Sequence, residues 1–147
     1  MPMIHQTGSV QETKLLAQQV LYNMGGRNLI CLYGDLGAGK TAFVSGMGQI
    51  LGLTNIISPT FILIRKHSIK SIVAGVNFKI LWHVDLYRLQ TLSEVLDLGL
   101  SDLWSDQSNL VVIEWPEMIE HLLPKKRVEV RIKSLGPDGR ELQIDYR

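Results

Sequence analysis

Eight consecutive residues, Gly34-Asp35-Leu36-Gly37-Ala38-Gly39-Lys40-Thr41, fit the pattern G-x-x-x-x-G-K-[ST]. The chemistry of this pattern requires a strand to end before it and a helix to begin within it, so it constrains the fold on both sides. Upstream lies NLICLY (28–33), a short run apolar on both faces, as expected of a strand in the middle of a covered parallel sheet. Downstream, Phe43, Val44, Met47, Ile50 and Leu51 recur at helical spacing until Gly52. In that setting each residue type has a task. Glycines permit positive φ and bring backbone N–H groups within reach of phosphate oxygens, and the N-terminal end of the helix adds its dipole. Lys40 would bridge the β- and γ-phosphates of a nucleoside triphosphate, and the Thr41 hydroxyl would enter a Mg²⁺ shell.

The rest of the chain supplies elements around this loop. Ser9 and Glu12 stand at capping-box spacing, which predicts a helix start, and Leu16, Ala17, Val20, Leu21 and Met24 carry that helix to Gly25-Gly26. ISPT (57–60) reads as a loop around Pro59. Phe61 to Ile64 and Ile80 to Val84 read as the strands of a hairpin turning at Gly75, Ser93 to Gly99 as a short helix, and NLVVIEW (109–115) as a second buried strand. Val128, Val130 and Ile132 alternate with charged residues, as do Leu142, Ile144 and Tyr146 with polar ones, and GPDG (136–139) between them makes an antiparallel hairpin. The expectation is an α/β fold: a P-loop NTPase-like three-layer domain whose central sheet is parallel, with antiparallel edge strands and hairpins. At 147 residues, with no repeat or linker, the chain reads as a single P-loop ATPase-sized domain over residues 1–147.

Composition narrows the partners. With 46% hydrophobic and 20% charged residues the chain is neither disordered nor of low complexity. A formal charge of +1 offers no bulk field for nucleic acid or an anionic membrane. No apolar stretch approaches the roughly 18 residues of a membrane span, and MPMIHQTG lacks the pattern of a leader, so a cytoplasmic protein is expected. Cys31, inside LICLY, reads as a buried strand thiol. His5, His67, His83 and His121 show no metal-ligand spacing and read as ordinary surface or strand residues. Lys125-Lys126-Arg127 reads as a solvated turn.

Mg²⁺ at such a loop needs an acid at the end of a neighbouring strand. Glu114 follows the apolar run LVVI, and Asp85 ends ILWHV. Glu114 could hold the metal directly, hold it through water, or orient the attacking water; these roles stay open. Thr60 fits either a switch residue sensing the γ-phosphate or a turn residue capping its neighbour. Trp115 fits packing at a strand end or a wall of the nucleotide pocket. The absence of N-K-x-D argues against guanine specificity, and the length leaves little room for a kinase acceptor site and lid. An ATPase or nucleotide-gated binding module is expected ahead of a stand-alone small-molecule kinase.

Four ordered blocks, GDLGAGKT, SPTF (58–61), HVDLYRL (83–89) and IEWPE (113–117), resemble the TsaE (YjeE-type) family, the ATPase component of bacterial tRNA threonylcarbamoyladenosine biosynthesis. The segments Leu96 to Gly99 and Gly139 to Ile144 are similar as well. The resemblance implies a cytoplasmic ATP- and Mg²⁺-dependent ATPase. It would act with a catalytic transferase subunit and its paralogous scaffold to modify adenosine 37 of ANN-decoding tRNAs, reaching tRNA through these partners and leaving the transfer to them. It also implies ATP contacts at Val10, Leu36, Gly37, Ala38, Gly39, Lys40, Thr41, Asp85 and Gly139. Thr41 and Glu114 would serve Mg²⁺, and Lys40, Asp85 and Glu114 would serve hydrolysis. Ala42 stands where relatives commonly carry a second hydroxyl, so backbone N–H would serve the α-phosphate there. The segment from His67 to Lys79 is longer than the family's blocks lead one to expect.

Overall fold

The computed structural model describes residues 2–56 and 63–147. The two strands expected to be central are buried along their whole length: β2 (Leu29–Tyr33) and β5 (Asn109–Glu114). They pair in parallel, Leu29 opposite Val111 and Leu32 opposite Glu114. Two further parallel neighbours extend this core, β4 (Ile80–Asp85) beside β5 and β6 (Val128–Ser134) beside β2. The edges are antiparallel: β7 (Arg140–Tyr146) on β6, β1 (Met3–Thr7) on β7, and β3 (Ile64–Ser68) on β4. The seven strands run in the order β1-β7-β6-β2-β5-β4-β3.

Because strand side chains alternate between faces, one sheet feeds two apolar layers. Ile30, Leu32, Leu81, Leu110 and Val112 face helices α1 (Val10–Tyr22) and α2 (Lys40–Ile50), meeting Leu16, Val20, Phe43 and Met47. Leu29, Cys31, Val84, Val111 and Ile113 face the other way. They are covered by Val95 of α3 (Leu92–Leu96), Leu100 of α4 (Leu100–Ser105) and Ile119 of a 3₁₀ segment over Pro116–Leu122. Cys31 is wholly buried in that second layer, and desolvation pushes its thiol up to about 12, which leaves it protonated and unreactive near neutral pH. Among the described residues no helix is long and apolar enough to cross a membrane.

Local signals placed most of these elements, and the departures have physical causes. At the start of α1 the Ser9 hydroxyl accepts from the Glu12 N–H at 3.1 Å, and the Glu12 carboxylate accepts from the Gly8 N–H at 2.7 Å. The helix ends at Tyr22 rather than at the glycines; Asn23 closes its last turn, and Gly25 and Gly26 form the turn beyond. The first strand of the expected hairpin lies at Ile64–Ser68, overlapping the expected Phe61–Ile64 only at Ile64; residues 57–62, with the ISPT loop, lie outside the described residues. IRKHS has no apolar run because it is an edge strand, where polar residues are tolerated. Gly75 does sit in a turn, bracketed by a Val73–Val76 bridge. Strand β1, helix α4 and the 3₁₀ segment had no sufficient local pattern. They form against β7 and the second apolar layer instead.

Helix α2 approaches α1 closely at Gly46, where an added Cβ would lie 2.6 Å from both Cα and O of Lys14. The side-chain amide of Gln18 donates to the Gly46 carbonyl at 3.1 Å across the same contact. Gly46→Ala is therefore expected to destabilise the fold by about 1–3 kcal/mol through overpacking. Chemical denaturation measures this, and an unchanged midpoint would show that the helices separate without cost.

Candidate functional site

Parallel pairing brings the carboxyl ends of β2, β4 and β5 to one edge of the sheet. There β2 runs into the glycine loop, β4 ends at Asp85, and β5 ends at Glu114, with Asp85 and Glu114 directly opposite each other. The ends are tied by backbone bonds. Trp115 N–H donates to the Leu32 carbonyl at 3.2 Å, and Leu86 N–H donates to that of Glu114 at 3.1 Å. Gly39 caps α2 with φ of 113°, a conformation that favours glycine, so Lys40 and Thr41 form the helix's first turn.

A cavity of about 600 Å³ opens at this edge, within the range of small-ligand sites. Val10, Leu36, Gly37, Gly39, Lys40, Thr41, Ala42, Asp85, Tyr87, Arg88, Glu114, Trp115 and Arg140 line it. Sequence-expected residues from three strand ends and the start of α1 thus meet at one place. Ala38 and Gly139 do not line it: Ala38 is buried beneath the loop, and Gly139 packs against Leu135. Thr60 lies outside the described residues.

Lys40 is 5% exposed, and its ammonium donates to the Gly34 carbonyl and, at 2.9 Å, to that of Asp35. Desolvation lowers its pKa, opposed by the carboxylates of Glu114, Asp85, Glu117 and Asp35 around it. The same ammonium lies 4.4 Å from the ring centroid of Trp115, which packs on Tyr87 at 4.9 Å. Trp115 thus walls the cavity as well as packing. It holds φ of 59°, a left-handed conformation costing a bulky residue about 1–3 kcal/mol. The Asp85 carboxylate accepts from the Tyr87 N–H at 2.9 Å, and burial of Glu117 raises its pKa.

Besides Tyr87 and Arg88 of the lining, Arg140 and His83 escaped the sequence reading. Arg140, at the start of β7, donates through Nε to the Ala38 carbonyl at 2.6 Å and through its terminal nitrogens to those of Gly37, Gly136 and Gly139. It clamps the glycine loop to the C-terminal hairpin; only its adjacency to Gly139 in the Gly-Arg pair could have pointed to it. His83 is fully buried, with Nε2 against Glu114 Oε2 at 2.5 Å. A histidine two residues before a strand-end acid, on the same strand face, was the available signal.

A glycine loop at a helix N-terminus, one buried ammonium and two adjacent carboxylates are groups whose chemistry suits a polyphosphate with a hard cation. Thr41 and Glu114 are oxygen donors of the kind Mg²⁺ takes, and Mg²⁺ keeps several waters rather than demanding a full protein cage. Among the described residues no group of three or more His, Cys, Asp or Glu gathers that could by itself hold a metal ion.

The family model described as "Threonylcarbamoyl adenosine biosynthesis protein TsaE" matches residues 7–142. A curated relative from Bacillus subtilis (strain 168), "tRNA threonylcarbamoyladenosine biosynthesis protein TsaE", is 36% identical over 92% of this chain and 80% of its own. One of the same name from Rickettsia bellii is 38% identical over 92% of this chain and 90% of its own. The solved structure "Crystal structure of Bacillus subtilus YdiB" superposes with a TM-score of 0.73 at 30% identity, covering 99% of this chain and 86% of that one.

Hydrogen bonds from a charged donor contribute about 1.5–3 kcal/mol, and Arg140 makes several to the loop. Arg140→Met is expected to speed hydrogen exchange at the amides of Gly37 to Gly39 by tenfold or so while leaving those of β2 and β5 protected. Unchanged exchange in the loop would show that it holds its shape without the clamp.

Proposed function

The chain belongs to the TsaE family of tRNA threonylcarbamoyladenosine biosynthesis, and from that premise we propose that it is a Mg²⁺-dependent, P-loop NTPase-like ATPase serving this modification. The observation that carries the reading is the convergence of Lys40, Thr41, Asp85 and Glu114 on one cavity at the carboxyl edge of the sheet. Amides of the loop and the N-terminal end of α2 cradle phosphates, and Lys40 neutralises charge on the transferred group. Thr41 and Glu114 would hold Mg²⁺, which when bound would supply charge neutralisation to the phosphates. Asp85, beside Glu114, stands where it could orient an attacking water. Val10 and Leu36 at the mouth, 52% and 67% exposed, offer apolar surface to the rest of the nucleotide.

The reading places this chain in the cytoplasm as an accessory ATPase acting over residues 1–147 as one domain. The transferase and its paralogous scaffold subunit are its partners, and tRNA is reached through them. The near-neutral charge supports this, since a protein neutralising many phosphates itself carries a basic surface. Slow turnover by the isolated chain follows from a site whose Lys40 is held by Gly34 and Asp35 carbonyls rather than free in the cavity.

Depleting the protein in cells is expected to remove threonylcarbamoyladenosine from bulk tRNA, as measured by nucleoside analysis. The wild-type chain should restore it and Lys40→Ala should not. Normal levels after depletion, with no substitute ATPase present, would falsify the reading. In vitro, Glu114→Ala is expected to lower Mg²⁺-dependent hydrolysis on the order of 10–100-fold while changing Mg²⁺-free nucleotide affinity little. Equal losses in both would remove Glu114 from the metal.

A further inference from the structure

The His83–Glu114 contact joins two side chains that are both out of water, at 0% and 3% exposure. They come from adjacent parallel strands: His83 stands opposite Val112 and Asp85 opposite Glu114, so His83 and Glu114 are diagonal neighbours on the face that carries the glycine loop. Toward the start of the strand the same face is apolar: Leu81, two residues earlier, is wholly buried in the layer under α1 and α2. The second imidazole nitrogen, Nδ1, has no hydrogen-bond partner among the described residues. A buried imidazole with one unpartnered nitrogen is a poor way to fill a core. What distinguishes His83 from a leucine here is the bond made by Nε2. A carboxylate only accepts, so Nε2 carries the proton and donates it.

That donation fixes one oxygen of Glu114 and hence the plane and rotamer of the carboxylate. Without that bond the buried carboxylate loses the donor that orients it. Among the described residues, the charged or titratable groups that share this face of the sheet edge include Asp85 on the same strand, Arg65 opposite His83 on β3, and His67.

We propose that His83 is the positioning residue for Glu114, holding its carboxylate in the orientation that takes Mg²⁺. The inference rests on the reading of Glu114 as a metal-holding residue. His83 touches neither nucleotide nor metal; it acts through the carboxylate, as partners of metal ligands do elsewhere, where their loss costs about 10–100-fold in metal affinity.

Two amide substitutions separate this role from packing. A glutamine places its N–H donor close to where Nε2 sits, whereas an asparagine, one carbon shorter, places its donor near Nδ1 and falls short of Glu114. ATP binding to the full chain is measured by calorimetry without Mg²⁺ and then across a Mg²⁺ series. Wild type, His83→Gln and His83→Asn are expected to bind metal-free ATP equally, which also reports that the variants are folded. Mg²⁺ should strengthen binding in wild type and His83→Gln at similar concentrations, and His83→Asn should need about tenfold more. An Asn variant that matches wild type, or a Gln variant that loses as much as Asn, overturns the proposal. In a Glu114→Ala background, His83→Asn should have no further effect on the Mg²⁺ response, and an additive loss would overturn it as well. Should His83→Asn not fold, His83→Gln decides: a wild-type Mg²⁺ response supports the donor role, and a tenfold weaker one overturns it. A wild-type chain that binds ATP with no Mg²⁺ response at all sinks the reading of Glu114 and the inference with it, whereas a normal wild-type response with unaffected variants sinks the inference alone.

Discussion

Parallel strands all release the chain at the same edge of a sheet, and here three of them do so side by side: β2 into the glycine loop, β4 at Asp85 and β5 at Glu114. Register does the rest. With Leu32 opposite Glu114 and Asp85 opposite the same residue, a shift of one position would turn both carboxylates to the opposite face, away from the loop. The register is held by the two apolar layers, because the same shift would expose Ile30, Leu32, Leu110 and Val112 to the wrong side. Core packing and site geometry are therefore one constraint, and a helix contact as distant as Gly46 against Lys14 belongs to it.

Charge at the site is arranged so that no ionised group is buried alone. The Lys40 ammonium is desolvated, and carbonyl oxygens, nearby carboxylates and the face of Trp115 compensate it. Those same contacts fix the ammonium in the wall of the cavity. The Arg140 guanidinium, in contrast, is spent on backbone: its bonds occupy the Ala38 and Gly37 carbonyls of the loop. A loop of glycines gains its anion-binding shape from freedom of φ, and the same freedom makes an external clamp useful.

Strain collects at the same place. Trp115 adopts a left-handed backbone that tryptophan does not favour, immediately after Glu114 and immediately before Pro116 begins the 3₁₀ segment. The turn lets the chain leave β5 while the indole doubles back over Lys40 and onto Tyr87. Its cost is offset by the buried packing beneath it.

Much of this was legible in the residues themselves. The glycine loop, its flanking β2 and α2, the capped start of α1, the buried β5 and the C-terminal hairpin all follow from local pattern, because each signal lies within a few residues of the structure it specifies. The acids Asp85 and Glu114 could be named for the same reason: each closes an apolar run. What tertiary structure alone decided lies between segments distant in sequence. The polar edge strand β3, the exposed β1, helix α4 and the 3₁₀ segment form only against partners, so their own sequences carry little pattern. The bonds of Arg140 to residues about a hundred positions earlier, and of His83 to Glu114 thirty-one residues on, depend on strand order and register, which no local sequence encodes. Local chemistry specified the loop and the acids at the carboxyl edge; pairing across the sheet decided which side chains hold them in place.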